Sequence, residues 1–282
     1  GDCEVFVVAR PQRDWMPSER EALAAFVGGG GDALVLLDPI AETPGFDADL
    51  DRFGVTVFDD VVFDADRSRT VAGMEGTLAV HDDGVLAHPV TLAGAVVLPV
   101  ARSLDLAVRD GLLAKELLRT STQAWGETDL TDPDVKPDPG LDRTGQLLLG
   151  VVVEVVDPDV LSIARPAEGP VDPGAPDAGR LVPPDWKGVP GGRIVVVGDG
   201  DFGSNQALAW GSNQDFFLNL FAWATGEEEQ IGDRPDLAEP LDLSEVGSAM
   251  LCLVSVVFVP GAAMLLALVT LLRRGLLAKG EA

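Results

Sequence analysis

The sequence of 282 residues has no tyrosine, two cysteines and two histidines. Because Cys3 and Cys252 lie at opposite ends of the chain, a disulfide framework and a cysteine-rich zinc site are excluded. His81 and His88 are too few for a multi-histidine metal centre. Basic residues are also scarce: 20 Lys and Arg stand against 46 Asp and Glu, giving a net charge of −26. That charge argues against nucleic acid as a partner, because nucleic-acid binding requires a basic surface.

Motifs for covalent catalysis and nucleotide hydrolysis are absent from the sequence as well. There is no G-x-S-x-G nucleophile turn and no G-x-x-x-x-G-K-[ST] phosphate loop. We therefore expect no catalytic residues and no cofactor in this chain, and ATP hydrolysis only in a partner subunit. His88 precedes a proline in a predicted loop, where a histidine more often forms local hydrogen bonds than acts as a base.

Apolar residues make up 46% of the chain and charged residues 23%, which is enough apolar area for a folded core. The length suits one large domain or two small ones.

Residues 246–272 contain no charged side chain and are long enough for a helix that crosses a bilayer. Arg273 and Arg274 follow at once, so the positive-inside rule places residues 273–282 in the cytoplasm. The sequence thus predicts an extracytoplasmic domain at 1–226, a polar connector at 227–245 and a single-pass anchor at 246–272 in the cytoplasmic membrane. A domain on that side of the membrane also needs an export signal, which we expect upstream of Gly1. The alternative is that the C-terminal helix itself directs insertion.

Small residues within the predicted span would allow close packing against other membrane helices. These residues are Gly247, Ser248, Gly261, Ala262 and Ala263. The alternative is that they face lipid.

The soluble part has the pattern of an α/β domain. Apolar runs at 4–9 and 33–37 read as buried strands on either side of a helix that opens near Pro17, which is a βαβ unit. Ser18 and Glu21 have the spacing of a capping box at the start of that helix. A strand at 193–198 precedes a helix at 213–225, and further strands are predicted at 55–58, 61–63, 95–98 and 147–156. Residues 126–145 and 165–192 read as loops, the second being long enough to bind a partner.

Four polar residues near predicted strand ends form a candidate site. They are Asp38, Asp199, Asp201 and Asn205. Ligands of parallel sheets gather beyond the carboxyl ends of strands, so these side chains could share a crevice that binds a divalent cation or a polar ligand. The alternative is structural: Asp199 and Asp201 accept backbone hydrogen bonds and fold their own turn.

Several segments together resemble the gliding-motility protein G family, the extracytoplasmic auxiliary components of ABC-type transport systems. The matching segments are residues 7–11, 17–39, 88–91, 98–104, 118–130, 193–205, 213–225 and 234–235, with the terminal span and Arg273–Arg274 behind them. The segment at 88–91 contains His88, Pro89 and Thr91 as a family-motif loop. The resemblance covers nearly all of the chain in order.

The resemblance implies a doubly wound, mostly parallel sheet similar to the glutamine-amidotransferase-like and flavodoxin-like folds, without the catalytic cysteine. It implies an ABC permease and a cytoplasmic ATPase as partners, besides the bilayer contacted by 246–272. Members usually carry a further membrane helix and domain upstream, so the chain resembles the C-terminal portion of such a protein.

The leading hypothesis is a membrane-anchored, non-enzymatic scaffolding or binding subunit of an ABC-type transport complex. The first alternative is an extracytoplasmic receptor that senses a ligand or carbohydrate through the crevice of Asp38 and Asp199. The second is a hydrolase that depends on the carboxylates of Asp199 or Asp201.

Overall fold

The structure is a computed structural model that describes residues 3–71, 74, 76–80, 88–131, 135–161, 191–231 and 264. The chain divides into two compact units, Gly1–Asp233 and Arg234–Ala282. Within the second unit only Met264, in helical conformation, belongs to the described part. The predicted span and tail therefore lie outside the described residues except for Met264, as do most of the connector and nearly all of the 165–192 loop. Within the described ranges, no helix combines the length and the apolar character needed to cross a membrane.

The described residues of the first unit contain strands and three α-helices interspersed along the chain. The strands are β1 (Val5–Ala9), β2 (Asp32–Leu36), β3 (Val55–Val57), β4 (Val61–Asp64), β5 (Leu78–Val80), β6 (Val96–Leu98), β7 (Leu104–Leu106), β8 (Leu112–Arg119), β9 (Ala124–Glu127), β10 (Arg143–Thr144), β11 (Leu148–Val155) and β12 (Arg193–Val197). The helices are α1 (Pro17–Gly28), α2 (Pro44–Leu50) and α3 (Asn213–Ala224).

A seven-stranded sheet forms the centre of this unit, in the order β1-β2-β12-β11-β7-β3, with β8 also pairing with β11. Strands β1, β2 and β12 are mutually parallel. The remaining pairs, which involve β11 with β12, β7 and β8 and also β3 with β7, are antiparallel. The described strands thus form a mixed sheet where a mostly parallel one is predicted. The reason is that a continuous apolar run marks a buried strand but carries no information about its direction.

Helices cover both faces of the parallel part of the sheet. In β2, Leu34 and Leu36 pack in the same apolar cluster as Phe216 and Leu220 of α3. Their neighbours along the strand face the opposite way, into a cluster with α1 and α2. Burial on both faces explains why β2 and β12 are apolar after their first residues, since each fully buried Leu or Val side chain contributes about 1.5–3 kcal/mol. The doubly wound arrangement as a whole stays a prediction.

Two small antiparallel sheets, β10-β9-β4 and β5-β6, complete the unit. Residues 126–145, which the sequence marks as a loop, contain the short strand β10 and the end of β9.

The predicted βαβ unit is confirmed, with β1, α1 and β2 within a residue or two of the expected bounds. The predicted burial of β1 is wrong: Phe6 and Val7 are 41% and 39% exposed, because β1 lies at the edge of the sheet and has a strand on one side. The predicted cap of α1 is wrong. The helix begins at Pro17, so the capping position is Met16, whose backbone N–H donates to Glu19 Oε2 at 2.8 Å. Ser18 lies inside the first turn, while Glu21 forms an ion pair with Arg52 at 2.7 Å.

Candidate functional site

The carboxyl ends of the three parallel strands meet at one edge of the sheet. Arg10 follows β1, Asp38 lies two residues beyond β2, and Asp199 and Asp201 follow β12. We call Arg10, Gln12, Asp38, Asp199 and Asp201 the strand-end cluster. The tertiary structure therefore brings Asp38 together with Asp201, through the guanidinium of Arg10 that each of them contacts.

Arg10 binds both carboxylates at once. Its Nε and Nη2 atoms donate to Asp38 Oδ2 at 3.2 and 2.9 Å, and its Nη1 atom contacts Asp201 Oδ1. The hydrogen bond to Asp38 raises the pKa of Arg10. The residue has a φ of 48°, the one positive φ outside glycine among the described residues. A non-glycine residue rarely adopts this conformation, and here it accompanies the turn of the chain after β1.

Gly200 allows this arrangement because it has no side chain. A Cβ atom at this position would lie 2.4 Å from Arg10 Cγ, which is closer than any real contact. The glycine between the two aspartates therefore provides the space that Arg10 occupies.

Asp38 is almost fully buried, with 4% of its surface exposed. Its Oδ2 atom also accepts from Gln12 Nε2 at 2.5 Å, while Oδ1 accepts the backbone N–H groups of Ile40 and Ala41 at 2.8 and 3.2 Å. Burial acts to raise the pKa of Asp38, but the hydrogen bonds from Ile40, Gln12 and Arg10 outweigh it and lower that pKa. The carboxylate is thus held in its charged form and its hydrogen-bonding capacity is used internally.

Asp199 is fully buried. Its Oδ1 atom accepts the Asp201 N–H at 2.6 Å and its Oδ2 atom accepts the Val100 N–H at 3.3 Å. Burial raises the pKa of Asp199 to about 8, and these N–H donors offset only part of the rise. The hydrogen bond from the Asp201 N–H closes the local turn that the structural alternative predicts. Asp199 thus stabilises its own loop and, through the Val100 N–H, also the segment after β6.

Asn205, the fourth predicted residue, has an exposed side chain in the turn that follows Asp201. None of the hydrogen bonds or ion pairs described for this region involves it. Across the described ranges, no group of three or more His, Cys, Asp and Glu side chains is placed to hold a metal ion. The carboxylates of Asp38 and Asp201 both contact the guanidinium of Arg10.

A buried arginine, Arg102, which the sequence does not single out, lies beside the cluster. Arg102 has 2% of its surface exposed; its Nε atom donates to the Phe58 carbonyl at 2.7 Å and its Nη1 atom pairs with Asp47 at 3.1 Å. Its backbone passes so close to Gly198 that a Cβ there would lie 2.1 Å from the Arg102 carbonyl oxygen. The segment 98–104 is thereby held against the end of β12.

The loop between β1 and α1 is tied to the start of α2. Asp14 accepts the N–H groups of Gly45 and Phe46 at 2.9 and 2.8 Å, which satisfies amides that the first helical turn leaves unpaired. The loop borders an open surface pocket of about 520 Å³. Its lining residues are Pro11, Gln12, Arg13, Asp14, Trp15 and Glu19. The sequence gives no signal for this pocket, because the loop forms it only when docked on α2.

The loop of His88, Pro89 and Thr91 has a structural role in the fold. His88 is buried, its Nδ1 atom accepts the Val90 N–H at 3.3 Å, and its ring lies edge-on to Trp223 at 5.6 Å. Thr91 Oγ1 donates to the His88 carbonyl at 2.8 Å, closing the 3-10 turn that begins at Pro89. Burial lowers the pKa of His88, with smaller contributions from neighbouring cations. The expectation of a local hydrogen-bonding histidine is confirmed.

Asn213 is a buried polar residue whose role emerges only in three dimensions. Its Oδ1 atom accepts the Val97 N–H at 2.7 Å and its Nδ2 atom donates to the Val97 carbonyl at 2.8 Å. The side chain thus pairs with β6 as another strand would, and joins α3 to it.

The remaining predicted residues lie outside the described residues; they are His81, Gly247, Ser248, Gly261, Ala262, Ala263, Arg273 and Arg274.

Comparison with known proteins gives one family. A solved structure titled mmIFT52 N-terminal domain is 15% identical, with a TM-score of 0.45 over 83% of this chain and 79% of that chain. A likeness this remote supports no conclusion about fold or function. No curated protein matches significantly. Residues 1–220 match the family described as ABC-type uncharacterized transport system, which is most of the chain. The chain therefore belongs to this family of ABC-type transport system auxiliary components.

Proposed function

We propose that this chain is a membrane-anchored, non-enzymatic auxiliary subunit of an ABC-type transport complex of the gliding-motility type. The observation that carries the proposal is the family match over residues 1–220. The charge-free stretch at 246–272, followed by Arg273 and Arg274, supports an anchor in the cytoplasmic membrane with the first unit outside. A permease would bind this chain, and the ATPase would act from the cytoplasmic side.

The contacts of the strand-end cluster support scaffolding over catalysis. A general acid or nucleophile must reach its substrate, whereas Asp199 is fully buried and its oxygens accept backbone N–H groups. Asp201, the more exposed carboxylate, contacts Arg10. Groups satisfied in this way hold loops together, and they would give a rigid surface at the sheet edge on which a partner could dock.

Co-purification tests the proposal. The full chain carrying an affinity tag is expressed in its native host and is extracted in mild detergent. We expect a permease to co-purify. Val259→Arg, at the centre of the proposed span, should reduce recovery at least tenfold because it places a charge in the hydrocarbon core. Leu277→Arg, beyond the span, is the matched control and should leave recovery unchanged.

A chain that always extracts alone would contradict the proposal, as would equal recovery of the permease with the two arginine variants. In the first case the chain has no stable permease partner. In the second case residues 246–272 do not provide the anchor.

A second candidate function, a receptor for a polar ligand or carbohydrate, is favoured by the pocket beside α1. The pocket combines the indole of Trp15 with Gln12, Arg13 and Asp14, and sugars bind to such mixtures of an aromatic face and hydrogen-bonding groups. A thermal-shift screen with sugars and cations tests it. A ligand present at 100 times its dissociation constant would stabilise the fold by about 2.7 kcal/mol. Trp15→Ala should abolish any such shift, and a panel without shifts would leave scaffolding as the function.

A further inference from the structure

Strand β1 lies at one end of the seven-stranded sheet, and among the described strands it pairs only with β2. Toward β2, the Glu4 carbonyl accepts the Asp32 N–H at 3.2 Å, and the Arg10 N–H donates to the Leu36 carbonyl at 2.8 Å. Backbone groups alternate in direction along a strand, so those of Val5, Val7 and Ala9 point away from the sheet. Within the described part of the chain, the outward groups of β1 make one hydrogen bond, in which the Cys3 thiol donates to the Val5 carbonyl at 3.4 Å.

This edge has none of the features that usually prevent strand addition. The five residues of β1 are all apolar, include no proline or charge, and pair with β2 in regular register without a bulge. Phe6 and Val7 are 41% and 39% exposed. By contrast, β3 at the opposite end of the sheet has only three residues, and its central Thr56 is polar and exposed.

We propose that β1 is a self-association surface, on which β1 of a second copy of this chain adds as an antiparallel strand. With Val7 opposite Val7 on the two-fold axis, Val5 lies opposite Ala9 of the second copy. In this register the outward-pointing residues Val5, Val7 and Ala9 of one copy lie opposite Ala9, Val7 and Val5 of the other. Each outward N–H and C=O group of β1 therefore faces a hydrogen-bonding partner. A shift by one residue would place outward groups opposite inward ones.

The side chains agree with the same register. Phe6 lies opposite Val8 of the second copy on one face of the joined sheet, and the two Val7 side chains meet on the other. The exposed apolar area on both faces of the edge is thereby covered. At each end of the ladder Glu4 comes opposite Arg10 of the second copy. Glu4 is exposed, and the Arg10 guanidinium is 42% exposed although it contacts Asp38 and Asp201, so the contact of Glu4 with Arg10 adds only a small surface contribution.

Light scattering on the purified full chain tests the proposal. We expect a reversible equilibrium between monomer and dimer, since a ladder of five residues is short. Val7→Lys should raise the dimer dissociation constant at least tenfold, because it places two like charges on the axis. Leu113→Lys, at a 62% exposed position on β8, is the matched control and should not change it. A monomeric wild-type chain, or equal dimerisation of the two variants, would overturn the proposal.

Cross-linking checks the register without relying on a disruptive variant. In a background with Cys3→Ser and Cys252→Ala, Val7→Cys places two thiols at the axis. Cα atoms of a hydrogen-bonded antiparallel pair are about 5.5 Å apart, within the usual span of a disulfide. Val7→Cys should form an oxidised dimer and Leu113→Cys should not; equal cross-linking of the two would refute the register. This test is independent of the proposed function, since it requires neither permease nor membrane.

Discussion

At the residue scale, Arg10 determines how the ends of the parallel strands are joined. It is the cation of the strand-end cluster and contacts one carboxylate from the β2 end and one from the β12 end. Its own side chain is 42% exposed, whereas Asp38 is 4% exposed. Solvent therefore screens the arginine more than its partner. The main consequence of removing Arg10 is that the buried carboxylate of Asp38 has fewer hydrogen bonds.

We predict that Arg10→Ala lowers the free energy of unfolding by about 1–2 kcal/mol, because Asp38 retains Gln12 and two backbone N–H donors. Arg109→Ala is the control. It removes an ion pair with Asp51, whose carboxylate is 57% exposed where that of Asp38 is 4% exposed, and should cost at most about 0.5 kcal/mol. Urea unfolding of the two variants measures the difference, and equal losses would show that the Arg10 contacts contribute little.

The buried carboxyl of Asp199 makes stability depend on pH. Because its pKa is raised to about 8 in the folded state from 3.8, the folded protein binds more protons in that interval. The contribution of Asp199 to stability is therefore present at low pH and is lost as the pH rises from about 4 to about 8. Asp38, whose pKa is lowered, acts in the opposite direction: its contribution is lost as the pH falls below its unfolded pKa.

Asp199→Asn should remove the loss of stability that Asp199 causes as the pH rises from about 4 to about 8. The variant loses part of its capacity to accept the Val100 and Asp201 N–H groups, so it starts less stable at pH 5. Its stability relative to wild type should then rise toward pH 8, by at most about 1.4 kcal/mol per pH unit. Unfolding measured at several pH values would show converging curves; parallel curves would mean that Asp199 is ionised throughout.

At the element scale, the start of α1 shows how one proline shifts a cap. Pro17 occupies the first helical position, where a missing N–H costs nothing. The capping position therefore moves to Met16, and Glu19 rather than Glu21 reaches back to it. The motif Ser-x-x-Glu is present at 18–21, but it lies within the helix.

We predict that Glu19→Ala lowers the free energy of unfolding by about 0.5–1 kcal/mol, because the Met16 N–H loses its acceptor. Ser18→Ala, in the adjacent position, should change it by less than about 0.3 kcal/mol, since alanine has the better helix propensity. Chemical denaturation compares the two. A larger loss of unfolding free energy with Ser18→Ala than with Glu19→Ala would show that Ser18 caps the helix, as the sequence predicts.

Elements that the sequence does not predict are stabilised by residues that lie far away along the chain. Helix α2 is only seven residues long, with its first amides satisfied by Asp14 from another loop. Strand β8 contains Lys115 and Glu116 and has no strand-like alternation, yet it pairs with β11 along its whole length. In both cases the stabilising contacts come from residues remote in sequence, so local pattern is not informative.

At the scale of the whole molecule, the proposed topology places the first unit outside the cytoplasmic membrane. Cys3 is exposed and provides a direct probe. In a Cys252→Ala background, we expect a membrane-impermeant maleimide to label Cys3 on intact spheroplasts. A thiol at Leu277→Cys, in a chain that also carries Cys3→Ser, should be labelled only after lysis. The reverse pattern would show that the orientation is inverted and would remove the support for an extracytoplasmic subunit.

The sequence by itself determined the strands of the βαβ unit, because apolar runs of that length between helix signals have few other solutions. It also indicated the general family of ABC-type transport auxiliary components, which the match over residues 1–220 supports. Only the tertiary structure decided the direction in which β11 pairs and which charges meet. Arg10 lies 28 residues from Asp38 and 191 residues from Asp201 along the chain. Such contacts follow from the packing of the strands side by side, and no local pattern of residues encodes them.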